Sequence, residues 1–270
     1  MAALLRVLVA LPAPPWNKPT PRLLCSVPPL WWRKGRPRTV HRSYAEVELL
    51  SRLVELLMPQ EAIGELFRDF PVQKTDMWGS RWLCPDITAI GVLKKKHAAL
   101  FVEYDGCFRH SELQAQQQDE RKTAALLHYA PPGSCVLRIG HWNRGGSMTN
   151  HSSQEVVDVW RAGHEPSLMK VLQQTIRALL RRFEHLLQED VFERLRSFEI
   201  AQPKQDFLKA TTFAREADIR FMIVCRPSML GHKYARLALR LEVLQEHNCL
   251  SKLASVISLP DATFSQRFPP

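Results

Sequence analysis

The first 45 residues contain no aspartate or glutamate, although lysine and arginine are spread throughout that stretch. The stretch is rich in proline and lacks the spacing of apolar residues that builds a buried helix or strand face. Arginine-rich N-termini without acids are typical of organellar transit peptides, so we predict a disordered transit peptide over residues 1–42, addressed to the mitochondrion or, alternatively, the plastid. A secretory signal, favoured by a short apolar run near the start, and a basic arm that contacts nucleic acid are the other interpretations.

Cysteine pairs with the spacing of a metal-binding or redox motif are also lacking, because the six cysteines are scattered along the 270 residues. A chain of this length buries a core without disulfide bonds, so we predict free thiols in a reducing compartment and no structural zinc. No apolar run is long enough to cross a membrane, so we predict no membrane span. The composition leaves the oligomeric state open.

Acidic residues are in the minority overall, with 27 Asp and Glu against 37 Lys and Arg and a formal net charge of +10. This excess favours a polyanionic partner such as nucleic acid. Removal of residues 1–42 would take away eight basic residues and no acid, which leaves only about +2. The prediction of a nucleic-acid partner therefore depends on motifs rather than on the total charge.

Two apolar runs of strand length lie in the middle of the chain, at Ile87–Leu93 and Ala98–Val102. They flank a short basic stretch, which is the pattern of a β-hairpin. We expect Lys94, Lys95 and Lys96 to form its solvated turn, with contact to phosphate as the alternative.

Acidic residues stand at the ends of these predicted strands. Asp86 precedes the first strand, and Glu103 and Asp105 end the second. A carboxylate beside an apolar strand is unfavourable unless it is compensated, and a divalent cation is the usual compensation. His110 follows a few residues later. This layout predicts a metal-dependent hydrolase.

A first helix is predicted over Ser43–Met58, with Ser43 as its N-cap and Pro59 ending it. Its apolar residues recur at helical spacing and make one broad buried face. Glu46 lies in the first turn, where simple capping and a functional role are both open.

A second helix is predicted over Glu112–Tyr129, with Leu126 and Leu127 among its buried residues. Asp119 and Lys122 lie one turn apart on it, which an ordinary surface ion pair would explain. A short strand, CVLRI, follows the next turn.

The ordered set of these features resembles the core of the PD-(D/E)XK nuclease superfamily. The residues that carry the resemblance are Pro85-Asp86, Glu103-Tyr104-Asp105, Glu46, Asp119, Lys122 and Arg138. The continuation Gly106-Cys107-Phe108, with His110 after it, is similar to the very-short-patch-repair endonuclease branch. The resemblance implies an α/β fold with a restriction-endonuclease-like αβββαβ core, which we place at residues 43–144.

The same resemblance implies roles for individual residues. The ligands it implies for Mg2+, or Mn2+, are Asp86, Glu103, the carbonyl of Tyr104, and Asp105. It further implies that His110 accepts a proton from the attacking water and that Glu46 helps to hold a second ion or a water. Asp105 stands where the family has its lysine, so Lys122 is a candidate to reach the site from the helix. Arg109 stands where the patch-repair enzymes place an intercalating aromatic residue, and we expect it to contact phosphate instead.

The C-terminal half is predicted to be a linker at 145–166 and an all-helical region at 167–270. The run Arg226–Leu230 and the helix after it resemble the repeat of the mitochondrial transcription termination factor family. That resemblance implies nucleic-acid binding through basic helix faces, to which Arg236 and Arg240 would belong. A generic helical bundle packed on the nuclease-like domain is the alternative.

Three hypotheses follow for the function. The first is an organellar, Mg2+-dependent endonuclease-like protein that hydrolyses phosphodiester bonds of DNA or RNA. The second is a non-catalytic organellar nucleic-acid-binding protein that uses a degenerate nuclease fold. The third, a structural helical protein, requires the positive charge to lie mainly in a cleaved presequence.

Overall fold

The computed structural model describes residues 30–38, 43–106, 113–141, 154–201 and 206–225. Within these ranges helices and two β-sheets form a mixed α/β protein, which confirms the predicted α/β class. The described helices are α1 (Leu30–Arg33), α2 (Tyr44–Leu57), α3 (Leu113–Tyr129), α4 (Glu165–Phe183), α5 (Glu189–Ala201) and α6 (Leu208–Cys225). The described strands are β1 (Arg36–Pro37), β2 (Arg68–Pro71), β3 (Trp82–Leu83), β4 (Ile87–Ile90), β5 (Ala99–Asp105), β6 (Cys135–His141) and β7 (Gln154–Val157). Among the described helices, none has both the length and the hydrophobicity that crossing a membrane requires.

The larger sheet has the strand order β4-β5-β6-β7. Strands β4 and β5 pair antiparallel, with Ile87 opposite Val102, which confirms the predicted hairpin. Strands β5 and β6 run parallel, so the chain between them crosses over the sheet, and α3 forms this crossover. The predicted second helix and the strand after it are therefore both present.

The loop of the hairpin carries the three lysines, and all three are exposed, as the sequence predicts for a turn. Gly91 adopts a φ of 88°, a conformation that glycine reaches without strain. The backbone amide of Lys94 donates to the carbonyl of Leu186 at 2.8 Å, which ties the loop to the turn after α4.

Side chains alternate between the two faces of the sheet, and each face has its own apolar cluster. Leu100 and Val102 of β5 belong to the larger cluster, which includes buried residues of α2, α4 and α5. Phe101 points to the other face, where it packs with Leu126 of α3. Leu127 is 47% exposed, so the expectation that it is buried was wrong, because its position on α3 turns it away from the sheet.

Helix α2 begins one residue after Ser43, as expected, and ends just before Met58. Ser43 has the extended backbone of an N-cap residue, but its side chain makes no capping hydrogen bond. The expected side-chain cap is therefore wrong. The helix is stabilised by its buried apolar face instead, to which Leu50, Leu53 and Leu57 contribute.

Residues 30–38 are folded, although the sequence predicted disorder throughout residues 1–42. Strand β1 pairs antiparallel with β2, with Arg36 opposite Asp69. The ring of Trp31 lies 5.3 Å from that of Phe70, next to the cluster beneath α3. The disorder prediction was therefore wrong for residues 30–38, because aromatic packing and strand pairing hold them in place.

The predicted linker at 145–166 contains strand β7, which pairs parallel with β6 and extends the sheet. Helices α4 and α5 share the larger core cluster with the sheet. The chain divides into one compact unit of residues 1–216 and a second of residues 217–270. The division falls later than the predicted linker, because the sheet and the first two helices of the predicted helical region are buried together. The run Arg226–Leu230 and the rest of the repeat-like tail lie outside the described residues.

Candidate functional site

Two carboxylates meet at the open end of the β4–β5 hairpin. The antiparallel register that pairs Ile87 with Val102 places Asp86 opposite Glu103, one position further along. Residues directly opposite each other in an antiparallel pair point to the same face of the sheet. The Oδ2 atom of Asp86 accepts a hydrogen bond from the backbone amide of Tyr104 at 2.8 Å, which fixes the orientation of this carboxylate.

Lys122 reaches these carboxylates from α3. Its Nζ atom lies 2.5 Å from Oε2 of Glu103, in an ion pair in which Glu103 has 3% and Lys122 21% of its side chain exposed. The apolar residues of α3, among them Leu126, pack on this face of the sheet and so carry Lys122 to the strand end. The sequence named Lys122 as a residue that could approach the site, and the structure places it there.

Arg138 of β6 holds a second acidic pair on the same face. Its Nε and Nη2 atoms donate to the two carboxylate oxygens of Asp105 at 3.0 and 2.5 Å. The Nη2 atom also lies 3.0 Å from Oδ1 of Asp119 on α3. Asp105, for which metal binding was predicted, therefore uses both carboxylate oxygens to bind Arg138.

Arg38 is a part of the site that sequence reasoning missed, because it lies in the predicted presequence. Its Nη1 atom lies 3.4 Å from Oδ1 of Asp86, and its Nη2 atom donates to the carbonyl of Pro85 at 2.7 Å. It also binds Asp69 of β2 at 3.1 Å. The alternation of Arg36 and Arg38 along β1 was the only local signal, and it does not predict a partner 48 residues away.

Burial dominates the electrostatics of the site. It raises the pKa of Glu103 from 4.5 to about 7, since Lys122 offsets only part of the desolvation. Burial alone would lower the pKa of Lys122, but the neighbouring Glu103 and Asp86 raise it above its ordinary value. Lys122 is therefore a cation at neutral pH and does not serve as a base.

Several carboxylates share a few cations on this side of the sheet. The described ion pairs join Asp69, Asp86, Glu103, Asp105 and Asp119 to Arg38, Lys122 and Arg138. Arg38 bridges Asp69 and Asp86, and Arg138 bridges Asp105 and Asp119, so each of these two arginines contacts two carboxylates.

The donor atoms of the site suit a hard divalent cation. Oε1 of Glu103 is buried and has no hydrogen-bond partner in the part of the chain that the structure describes. Oδ1 of Asp86 meets only a long contact of 3.4 Å with Arg38. Magnesium commonly binds one or two carboxylates and keeps waters or phosphate oxygens as its other ligands. No group of three or more His, Cys, Asp or Glu residues that could hold a metal occurs within the described ranges.

The side chain of Tyr104 points to the opposite face from Glu103, since the two are adjacent in β5. Its hydroxyl lies 3.0 Å from Nδ1 of His141, and its ring packs 5.3 Å from that of Trp160. Burial and the charge of Glu46 raise the pKa of Tyr104. The structure thus places Glu46 near the phenol of Tyr104. The contact of Tyr104 with Asp86 is made by its backbone amide.

The other predicted site residues are not brought to this cluster. Lys94, Lys95 and Lys96 lie at the far end of the hairpin from Asp86, because β4 and β5 separate the loop from the strand end. The structural positions of the remaining predicted residues lie outside the described ranges; these residues are Arg109, His110, Arg236 and Arg240. Their roles stay predictions.

No known protein-family model, curated protein or solved structure matches this chain. The site must therefore be interpreted from its own geometry, and the resemblance to nucleases and to transcription termination factors stays a hypothesis.

Proposed function

We propose that this protein is a divalent-cation-dependent, endonuclease-like hydrolase of nucleic-acid phosphodiester bonds, with a restriction-endonuclease-like core. The observation that carries the proposal is the group of buried Glu103 with the partly buried Asp86 and Lys122, in which an ammonium lies 2.5 Å from a carboxylate that faces a second carboxylate. The mixed sheet and its α3 crossover support it, since an antiparallel hairpin followed by a helix and a parallel strand fits the ββαβ part of the predicted αβββαβ order.

Asp86 and Glu103 are the residues that would hold Mg2+ or Mn2+. When bound, the ion would polarise the phosphoryl oxygen and lower the pKa of a bound water. The amide of Tyr104 keeps Asp86 oriented, and Arg138 binds both oxygens of Asp105. Lys122 supplies from α3 the positive charge that the triplet lacks at Asp105, and it would stabilise negative charge on the phosphate.

The proposal is tested by cleavage of labelled single-stranded and duplex DNA and RNA by the full chain, in Mg2+ or Mn2+ and in EDTA. We expect metal-dependent cleavage that falls at least ~100-fold in Asp86→Asn and in Lys122→Met. Lys170 and Asp158 form an exposed ion pair at α4, so Lys170→Met and Asp158→Asn are matched controls that should cleave normally. Cleavage that survives in both site variants would place the activity elsewhere. His110→Ala tests the predicted proton acceptor in the same assay.

A non-catalytic nucleic-acid-binding protein is the second proposal, and one observation favours it. Asp105 is fully engaged by Arg138, so only two of the carboxylates that the resemblance implies as ligands remain available. Salt-dependent binding without cleavage in wild type and variants alike would support this proposal over the enzyme.

Organellar localisation stays a part of both proposals. It depends on the acid-free N-terminus, and residues 1–29 alone should direct a fluorescent fusion protein to the organelle.

A further inference from the structure

The three-stranded sheet β1-β2-β3 has an outward face that no predicted role uses. The register places Arg36 opposite Asp69, and Pro71 opposite Trp82. Asp69 and Pro71 are two positions apart on β2, so all four residues share one face. The guanidinium of Arg36 lies 4.1 Å from the centre of the Trp82 ring, which shows directly that the side chains of β1 and β3 meet there.

This face carries positive charge that the described part of the protein does not neutralise. Arg36 is exposed and makes no ion pair with another described residue. The arginines of α4 and α5 differ, since Arg177 and Arg196, for example, both bind Glu199. The acid on the outward face, Asp69, is bound by Arg38. The face therefore presents the unpaired guanidinium of Arg36, which a phosphate would complement.

The face is continuous with the candidate site. Arg38 follows Arg36 by two residues, about 6–7 Å along an extended chain. Its guanidinium bridges Asp69 on the sheet and Asp86 in the site. Because Asp69 and the Pro85 carbonyl hold it, Arg38 would stay in place if a ligand competed for Asp86. A chain of phosphates lying on Arg36 would therefore run towards Asp86.

We infer that this outward face, built on Arg36, Arg38 and Trp82, binds the phosphate backbone of a single-stranded nucleic acid and leads it to the candidate site. An exposed arginine beside an aromatic ring suits a single strand, because a backbone phosphate meets the cation while bases stack on aromatic faces. The inference rests on the proposed function for its ligand class, but it does not require cleavage. It also gives residues 30–38 a binding role that a cleaved presequence would not have.

The test is fluorescence anisotropy of a labelled 20-nucleotide single strand, as DNA and as RNA, with the full chain in EDTA. We expect Arg36→Ala to weaken binding at least ~10-fold, as loss of a hydrogen bond between charged groups does. It should also lower the slope of log affinity against log salt by about 0.7, the value for one phosphate contact on a single strand. Arg36→Lys should keep the salt slope, because the charge remains.

Arg196→Ala is the matched control, since Arg196 is an exposed arginine on α5. Equal affinity of Arg36→Ala, Arg196→Ala and wild type would overturn the inference, and so would failure of wild type to bind either strand. Binding of anionic phosphatidylserine vesicles in place of nucleic acid would also overturn it. Cleavage is measured separately in Mg2+. Arg36-dependent binding without cleavage would leave the inference intact and refute the enzyme proposal. Cleavage that Arg36→Ala does not change would support the enzyme proposal and refute the inference.

Discussion

Glu103 is 2% exposed, and its Oε2 atom binds Lys122 while its Oε1 atom has no partner among the described residues. A buried carboxylate in this position holds a proton more strongly than one in water. The residue is therefore sensitive to any change that brings positive charge to Oε1, whether a proton or a metal ion.

The stability of the metal-free protein should accordingly fall as pH rises towards neutrality. The pKa of Glu103 is raised from 4.5 in the unfolded chain to about 7 in the folded protein. The folded state thus keeps a proton that the unfolded chain loses, so this contribution is complete below the lower pKa and disappears as pH passes the higher one. Urea unfolding in EDTA, from pH about 4.5 to about 8, measures the trend. Glu103→Gln should flatten it, and an unchanged pH profile in that variant would contradict the assignment.

Asp86 and Asp105 should differ in what their loss does, although the sequence assigned metal binding to both. Asp105→Asn leaves Arg138, with 5% of its side chain exposed, without its main partner, and should cost about 3–5 kcal/mol of stability. Asp86→Asn keeps an oxygen for the Tyr104 amide and should cost much less. Addition of Mg2+ should raise the melting temperature of wild type and of Asp105→Asn, but not of Asp86→Asn. Thermal unfolding with and without Mg2+ separates the two, and a Mg2+ shift that persists in Asp86→Asn would remove it from the ligand set.

At the scale of elements, the segment formed by α1 and β1 changes what a presequence can include. Trp31 and Trp32 pack on Phe70, with ring centres 5.3 and 5.9 Å away, and the Arg38 amide donates to the Phe67 carbonyl at 2.7 Å. Only three of the eight basic residues before residue 43 precede Leu30, and so the chain from Leu30 keeps a formal charge of +7. A charge of +7 favours a polyanionic partner more than the +2 that would remain after removal of residues 1–42.

Two truncations should therefore behave differently. Removal of residues 1–29 should leave the unfolding free energy within about 0.5 kcal/mol of wild type. Removal of residues 1–42 should lower it by at least ~3 kcal/mol, because two partly buried tryptophans that pack against the second core cluster are lost. Urea unfolding of both proteins makes the comparison. Equal stability of the two would show that the segment contributes no packing energy.

On the scale of the whole molecule, the sheet and the helices after it share one core. Val102 of β5, Leu172 of α4 and Leu195 of α5 all belong to the larger cluster and are fully buried. The unit of residues 1–216 should thus unfold cooperatively rather than as a nuclease-like domain and a separate helical domain.

A destabilising substitution in α4 should consequently destabilise the sheet as well. Leu172→Ala should cost about 2–5 kcal/mol and speed amide hydrogen exchange in β5 as much as in α4. Val159 is 59% exposed, so Val159→Ala is a control that also removes apolar atoms. It should change neither the unfolding free energy nor the rate of amide hydrogen exchange. Faster exchange confined to α4 would show that the helices form an independent unit.

Helices and strands with a local sequence pattern could be predicted from the sequence alone. The two apolar runs that flank the three lysines are enough for the hairpin and for the position of Asp86 and Glu103 at its end, because strand and turn signals act over a few positions. The helix that carries Lys122 follows from the same kind of local pattern. These features define the α/β class, and they include three residues of the candidate site, Asp86, Glu103 and Lys122.

The ion-pair partners of the site residues depend on the tertiary structure, because a partner distant in sequence leaves no local pattern. Arg38 meets Asp86 across 48 positions, and Arg138 takes Asp105 across 33. Strand β7 lies in a polar stretch with no apolar alternation of its own, and it becomes a strand because the edge of β6 offers it hydrogen bonds. The packing on the two faces of the sheet therefore determines which carboxylate can bind a cation and which is already bound by an arginine.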